Sequence, residues 1–167
     1  MSNNVDFHWK TFNALNSWVA QADNKAIALL SADGVIAGIV AVHLDKIMPA
    51  LQPHSWLVVI SIVGLMFLLL SFFFAIRCVL PSISAGASTS ITYFHHIAQL
   101  SEADYEARLQ AALAVPHGPE KELIYQIWAN SKVASRKYRC IFLSILSLTT
   151  ALLLLLITGL LFYILYS

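Results

Sequence analysis

Charge is what this sequence most conspicuously lacks. Ten Lys and Arg with nine Asp and Glu leave 11% of its 167 residues charged, where soluble domains carry about 25%. Its 59% hydrophobic content exceeds the roughly 45–50% of soluble folds, so the chain reads as an integral membrane protein. Surplus positive charge is missing too. A net charge of +1 removes the case for a nucleic-acid partner, because phosphate backbones are bound by excess Lys and Arg gathered on one face. Cysteine is limited to Cys78 and Cys140, too few for a disulfide scaffold or a four-ligand zinc site, and both are expected to be reduced packing residues. The sequence has no phosphate-binding glycine loop, no His-Glu-x-x-His and no Gly-x-Ser-x-Gly, so no enzyme is expected. No basic stretch followed by a short apolar run opens the chain. A cleaved secretory signal is therefore not expected, and the mature protein should begin at Met1.

What is present is a membrane layout. A bilayer core takes roughly 20 apolar helical residues, and Ala26 to Leu44, Ser55 to Ile76 and Ile141 to Tyr166 qualify. The connection Asp45 to His54 is short and proline-bearing, so the first two spans should form an antiparallel hairpin. Lys10, Lys25, Arg77, Lys132, Arg136, Lys137 and Arg139 flank one side of the spans, against Lys46 alone on the other. By the excess of Lys and Arg on cytoplasmic segments, residues 1–25 and 77–140 are expected in the cytoplasm, the 45–54 loop and the C-terminus outside.

The cytoplasmic parts carry helical signals of their own. Phe12, Leu15, Val19 and Ala22 repeat at helical spacing, with Phe7, Trp9 and Trp18 widening the stripe, which predicts an amphipathic helix running into the first span. Breakers around Pro81 should end the second span. Ser101-Glu102-Ala103-Asp104 resembles a capping box, and Val115-Pro116-His117-Gly118 should stop the helix it starts. From Pro119 to Tyr166 the pattern predicts one helix of about 70 Å at 1.5 Å per residue. The expected fold is all-α, a three-span transmembrane bundle with cytoplasmic helical extensions. Its segments are 1–25, 26–44, 45–54, 55–76, 77–140 and 141–166.

Chemistry-bearing residues are few. His8, His43, His54 and His117 are scattered, and His95 and His96 point about 100° apart on a helix, so no metal site is expected. Asp33 is the one ionisable group plainly inside an apolar span, and the only Asp, Glu, Lys or Arg within the three. An intramembrane carboxylate costs at least about 2.5–3.5 kcal/mol at the helix centre, so it faces a partner, water or a pore. The alternative is a position near the cytoplasmic interface with Lys or Arg close by. Gly34 and Gly38, extended by Ser31 and Ala41, make a small-residue stripe suited to packing within one chain or to an oligomer contact. On the cytoplasmic side stand Asp23, Asn24, Lys25, Tyr93, Phe94, Tyr105, Gln126, Asn130 and Lys137. Gln126, Asn130 and Lys137 share a helical face. Amides, lysines and aromatics are what a small nucleotide site needs, and also what the polar face of a helix near the headgroups carries.

The run Tyr93-Phe94-His95-His96-Ile97-Ala98, then Tyr105, then Tyr125-Gln126-Ile127-Trp128-Ala129-Asn130-Ser131-Lys132 through Lys137-Tyr138, with Asp23-Asn24-Lys25-Ala26 at the first span, resembles the transmembrane effectors of the Pycsar anti-phage system. The resemblance covers nearly the whole chain. It implies an effector of bacterial immunity in the inner membrane, activated by cyclic UMP or cyclic CMP from a partner cyclase and killing or arresting the infected cell by impairing the membrane. No cofactor is implied beyond that activating nucleotide. The matching positions are Asp23, Lys25, Tyr93, Phe94, Tyr105, Gln126, Asn130, Ser131, Lys137 and Tyr138. Asp33 departs from the pattern, where a neutral residue is expected. The expected mode of action is a homo-oligomer in the bilayer, with Lys25 and Lys137 on phosphate, Tyr93 or Tyr105 stacking, and Gln126 or Asn130 reading the base. Rival expectations are an effector answering a cyclic oligonucleotide, and a small channel or transporter subunit using Asp33.

Overall fold

The computed structural model describes residues 2–51, 55–80, 91 and 94–166. Their regular structure is helical without a strand: α1 (Ser2–Leu51), α2 (Ser55–Val79), α3 (Phe94–Ile97), α4 (Glu102–Ala114) and α5 (Gly118–Tyr166). Among the described residues three helices, α1, α2 and α5, are long and apolar enough to cross a membrane. The all-α, three-span class stands.

Local sequence explains where the helices start and stop. α1 joins the amphipathic segment to the first span and continues past Leu44 to Leu51. The described part of the expected 45–54 loop is thus helix. Pro49 sits in the last turn, where its missing N–H costs α1 one bond to the carbonyl four residues back and confines the disturbance to the helix end. Residues 52–54 lie outside the described residues. Ser101 caps α4: its hydroxyl accepts from the Asp104 N–H at 3.2 Å and donates to the Asp104 carboxylate at 2.7 Å, with Glu102 and Asp104 in the first turn where the helix dipole favours acids. α4 ends at Val115 in an extended conformation (φ −86°, ψ 128°), as a residue before proline must. His117 then takes a left-handed φ of 60°, and Gly118 opens α5. A side chain at Gly118 would collide with the backbone carbonyl of Ala112, so only glycine lets the α4–α5 hairpin close this tightly.

The chain forms two compact units, Met1–Val19 with Pro81–Ser135, and Ala20–Leu80 with Arg136–Ser167. In the first, Leu15 of α1 and Leu123 and Ala134 of α5 are buried, as is His96 of α3. The second is a three-helix bundle. Ala22 and Ala26 of α1 pack with Cys78 of α2 and Cys140 and Ile141 of α5. Further along, Leu68 of α2 meets Leu148 and Ala151 of α5, with Leu29 and Ile36 of α1 against them. Gly64 of α2 lets Leu154 and Leu155 approach to 3.4 Å of where its Cβ would stand. The outward face of this bundle is greasy: Val35, Val42, Met66, Leu69, Leu153 and Leu156 are 61–77% exposed. A soluble surface rarely exposes so continuous an apolar coat, whereas lipid tails accept it at no cost.

Candidate functional site

In the first unit the helices line a partly open cavity of about 500 Å³. Trp9 and Phe12 of α1, three residues apart, form one wall. Leu109 and Leu113 of α4, and Leu123 and Gln126 of α5, form the others. The spacings of three and four are those that put side chains on one helical face. Small-molecule pockets run to about 300–1,000 Å³, mostly apolar with a few placed polar groups. Here the polar groups are Gln126, His117, Glu120 and Glu122. Gln126 is buried at 8% exposure. Glu120, in the first turn of α5 where the helix dipole favours an acid, lies 3.4 Å from Nε2 of His8 and 2.9 Å from Nδ1 of His117.

The remaining expected ligand residues of this unit have other surroundings. Asn130 donates its amide to Asn16 Oδ1 at 3.0 Å. Tyr105 is half-buried on α4. Tyr93 lies outside the described residues. Beside Asn130, Lys132 sets its ammonium 3.6 Å above the Trp128 ring, a cation–π contact.

Asp23, Lys25 and Lys137 belong to the second unit. Lys137 is only 7% exposed, and its ammonium donates to Asp23 Oδ1. A phosphate reaching Lys137 would have to displace that carboxylate. Lys25 is exposed and holds its ammonium 5.4 Å from the centre of the Tyr138 ring. Between these groups, the Cys78 thiol points at the carbonyls of Lys137 (3.6 Å) and Ala22 (3.9 Å). The cysteines are buried and free. The face shared by Gln126 and Lys137 is therefore a packing face and not a solvated one. Sequence periodicity placed these residues together; their burial depended on partners contributed by α1.

Deeper in the same bundle, Asp33 is 1% exposed. Its partner is a serine and not the lysine or arginine that an interfacial position would supply. Ser71 of α2 donates to Asp33 Oδ2 at 3.0 Å. Ser144 of α5 lies 3.1 Å from the Ser71 hydroxyl and donates to the Ser71 carbonyl, also at 3.1 Å. One carboxylate and two hydroxyls thus tie three helices together. Oδ1 of Asp33 is buried without a hydrogen-bond partner among the described residues. Gly34 and Gly38 are on the other side of α1: both are exposed and have nothing within 4 Å of a Cβ position. Among the described residues nothing packs against them. Ser71 and Ser144 were missed by sequence reasoning, because a serine within an apolar run carries no sign that its partner is a carboxylate on another helix.

Nothing matches the chain among curated proteins or among solved structures. One family does, the Pycsar effector protein domain, over residues 7–165. That match takes in the aromatic stripe of α1, the cavity walls and the three membrane-length helices, so the chain belongs to the Pycsar effector family of anti-phage defence.

Proposed function

We propose that the protein is an inner-membrane effector that senses a cyclic pyrimidine mononucleotide, cyclic UMP or cyclic CMP, and answers by impairing the bilayer. The observation that carries this reading is the first unit's cavity, a partly open space of about 500 Å³ in a protein of a family activated by a cyclic pyrimidine signal. The base enters against Trp9 and Phe12, and the Gln126 amide exchanges the contact it makes within the chain for the base edge, since one amide both donates and accepts, as uracil and cytosine require. One buried amide and one aromatic wall provide for one base. That favours a mononucleotide over a cyclic oligonucleotide.

The excess of Lys and Arg on residues 1–25 and 77–140 supports a cytoplasmic position for the cavity, where a partner cyclase releases its product. Nucleotide binding then shifts the membrane helices toward a damaging assembly, which requires higher affinity for that state than for the resting one. Gly34 and Gly38, open on the outer side of α1, are the surface through which copies approach. Asp23 and Lys137 hold α1 to α5 and set how readily the bundle rearranges.

The test is calorimetric titration of the purified full chain with cyclic UMP, cyclic CMP and a cyclic dinucleotide. Wild type should bind one of the mononucleotides and not the dinucleotide. Gln126→Ala should weaken that binding by about 1–3 kcal/mol, roughly 5- to 150-fold. Unchanged affinity in Gln126→Ala would remove the cavity as the site. A channel or transporter subunit would behave otherwise, with ion flux in the absence of any nucleotide.

A further inference from the structure

The interior of the membrane bundle is more polar than packing requires. Asp33, Ser71, Ser144, Ser147 and Thr158 are all buried at 6% exposure or less, and Ser144, Ser147 and Thr158 recur on α5 at intervals of three and eleven that keep them on one face. Hydroxyls on the outer side, Ser31 and Thr149, bond carbonyls of their own helix, Ile27 at 3.0 Å and Ile145 at 2.9 Å, as the inner Thr158 does to Leu154 at 2.9 Å. That is how a hydroxyl is satisfied against lipid. Ser71 and Ser144 bond across helices to a carboxylate instead. If Asp33 served only to clamp α1 to α2, a neutral side chain accepting from Ser71 would do so without a carboxylate in the bundle. Its second oxygen stands buried and unpartnered among the described residues, and a buried polar atom left without a partner calls for an explanation beyond packing, a water or an ion in another state among them.

We propose that this face lines a cation path in the activated assembly, with the Asp33 carboxylate of each copy contributing to a ring that admits cations and rejects anions. Carboxylate rings are the ordinary device of cation-conducting pores, and ionisable groups inside membrane bundles mark ion pathways. The ligand class is the monovalent cation, potassium or sodium. In the resting state Ser71 holds Asp33 inward and the three helices close on each other. Activation separates them, and the carboxylate meets water and ions. The inference rests on the reading that the chain impairs the membrane, and it names the form of that impairment.

The experiment uses the full chain in potassium chloride-loaded vesicles under a salt gradient, with cyclic UMP and cyclic CMP added and the reversal potential recorded. Wild type should show nucleotide-dependent current with potassium permeability well above chloride. Asp33→Asn, which preserves shape and the Ser71 contact, should bring the permeability ratio close to one, and Asp33→Glu should restore the preference. Nucleotide titration of each variant shows that it is folded and sensing. Nucleotide-dependent release of carboxyfluorescein with no ion preference, or a preference unchanged in Asp33→Asn, overturns the cation path and leaves the effector reading standing. Absence of binding to both nucleotides overturns the cyclic-pyrimidine reading itself, and the nucleotide-gated cation path with it.

Discussion

The Asp23–Lys137 ion pair should show an asymmetric mutational response, because its two partners are unequally buried. The Lys137 side chain is 9% exposed and that of Asp23 is 33% exposed. Removing one partner of a buried pair costs about 3–5 kcal/mol, chiefly through the charge left behind. In Asp23→Asn that charge is an ammonium almost out of contact with water. The remaining amide oxygen still accepts a hydrogen bond, which places the loss at the low end, about 3 kcal/mol. In Lys137→Met the charge left is a carboxylate with a third of its surface in solvent, and the loss should be about 1 kcal/mol. For a chain of this length about 1 kcal/mol moves the melting temperature by roughly 2–4 °C. The expected shifts are therefore about 6–12 °C for Asp23→Asn and about 2–4 °C for Lys137→Met. Cys78 and Cys140 supply the probe: they are the only cysteines and both are buried in the cluster that holds Ala22 and Ala26. A thiol-reactive fluorophore added during heating in detergent reports the opening of this cluster directly. Equal shifts, or a larger one for Lys137→Met, would refute the burial argument.

Three further outcomes follow from the same geometry. Ser71→Ala leaves both oxygens of Asp33 without a donor among the described residues and should destabilise the bundle by about 1–3 kcal/mol, whereas Ser144→Ala keeps the Ser71–Asp33 bond and should cost about 1 kcal/mol; the same thermal assay ranks them. Gly118→Ala sets a methyl group against the Ala112 carbonyl, and hydrogen exchange should show α4 losing protection by about 2 kcal/mol or more, the class of backbone conflict that gives large single-site effects. Gly34→Ile with Gly38→Ile meets open space among the described residues, so stability should fall by no more than about 0.5 kcal/mol from wild type while nucleotide-dependent cross-linking between copies is lost.

Much of this arrangement is legible in the sequence. Long apolar runs without proline specify α2 and the second half of α5, and the Ser101 cap with the Val115-Pro116-His117-Gly118 stop specifies α4. The continuation of α1 through Pro49 was less legible, because a proline in the last turn reads locally like a loop. Among the candidate site residues, Gln126 and Lys137 were found by helical spacing and amide or ammonium chemistry. Their burial, the Asp23 partner and the Asn16–Asn130 bond depend on contacts made across 114 residues, which periodicity along one helix does not encode. The reverse holds for Gly34 and Gly38. Their small-residue spacing is plain in the sequence, while only the packing shows that the stripe is turned away from the chain's own helices.

The central claim is that this protein senses a cyclic pyrimidine mononucleotide. Its most direct test is equilibrium binding of cyclic UMP and cyclic CMP to the full chain in lipid nanodiscs, with cyclic AMP as the purine control. The account predicts saturable binding of one pyrimidine nucleotide per chain and none of the purine. Failure of both pyrimidine nucleotides to bind saturably would contradict it.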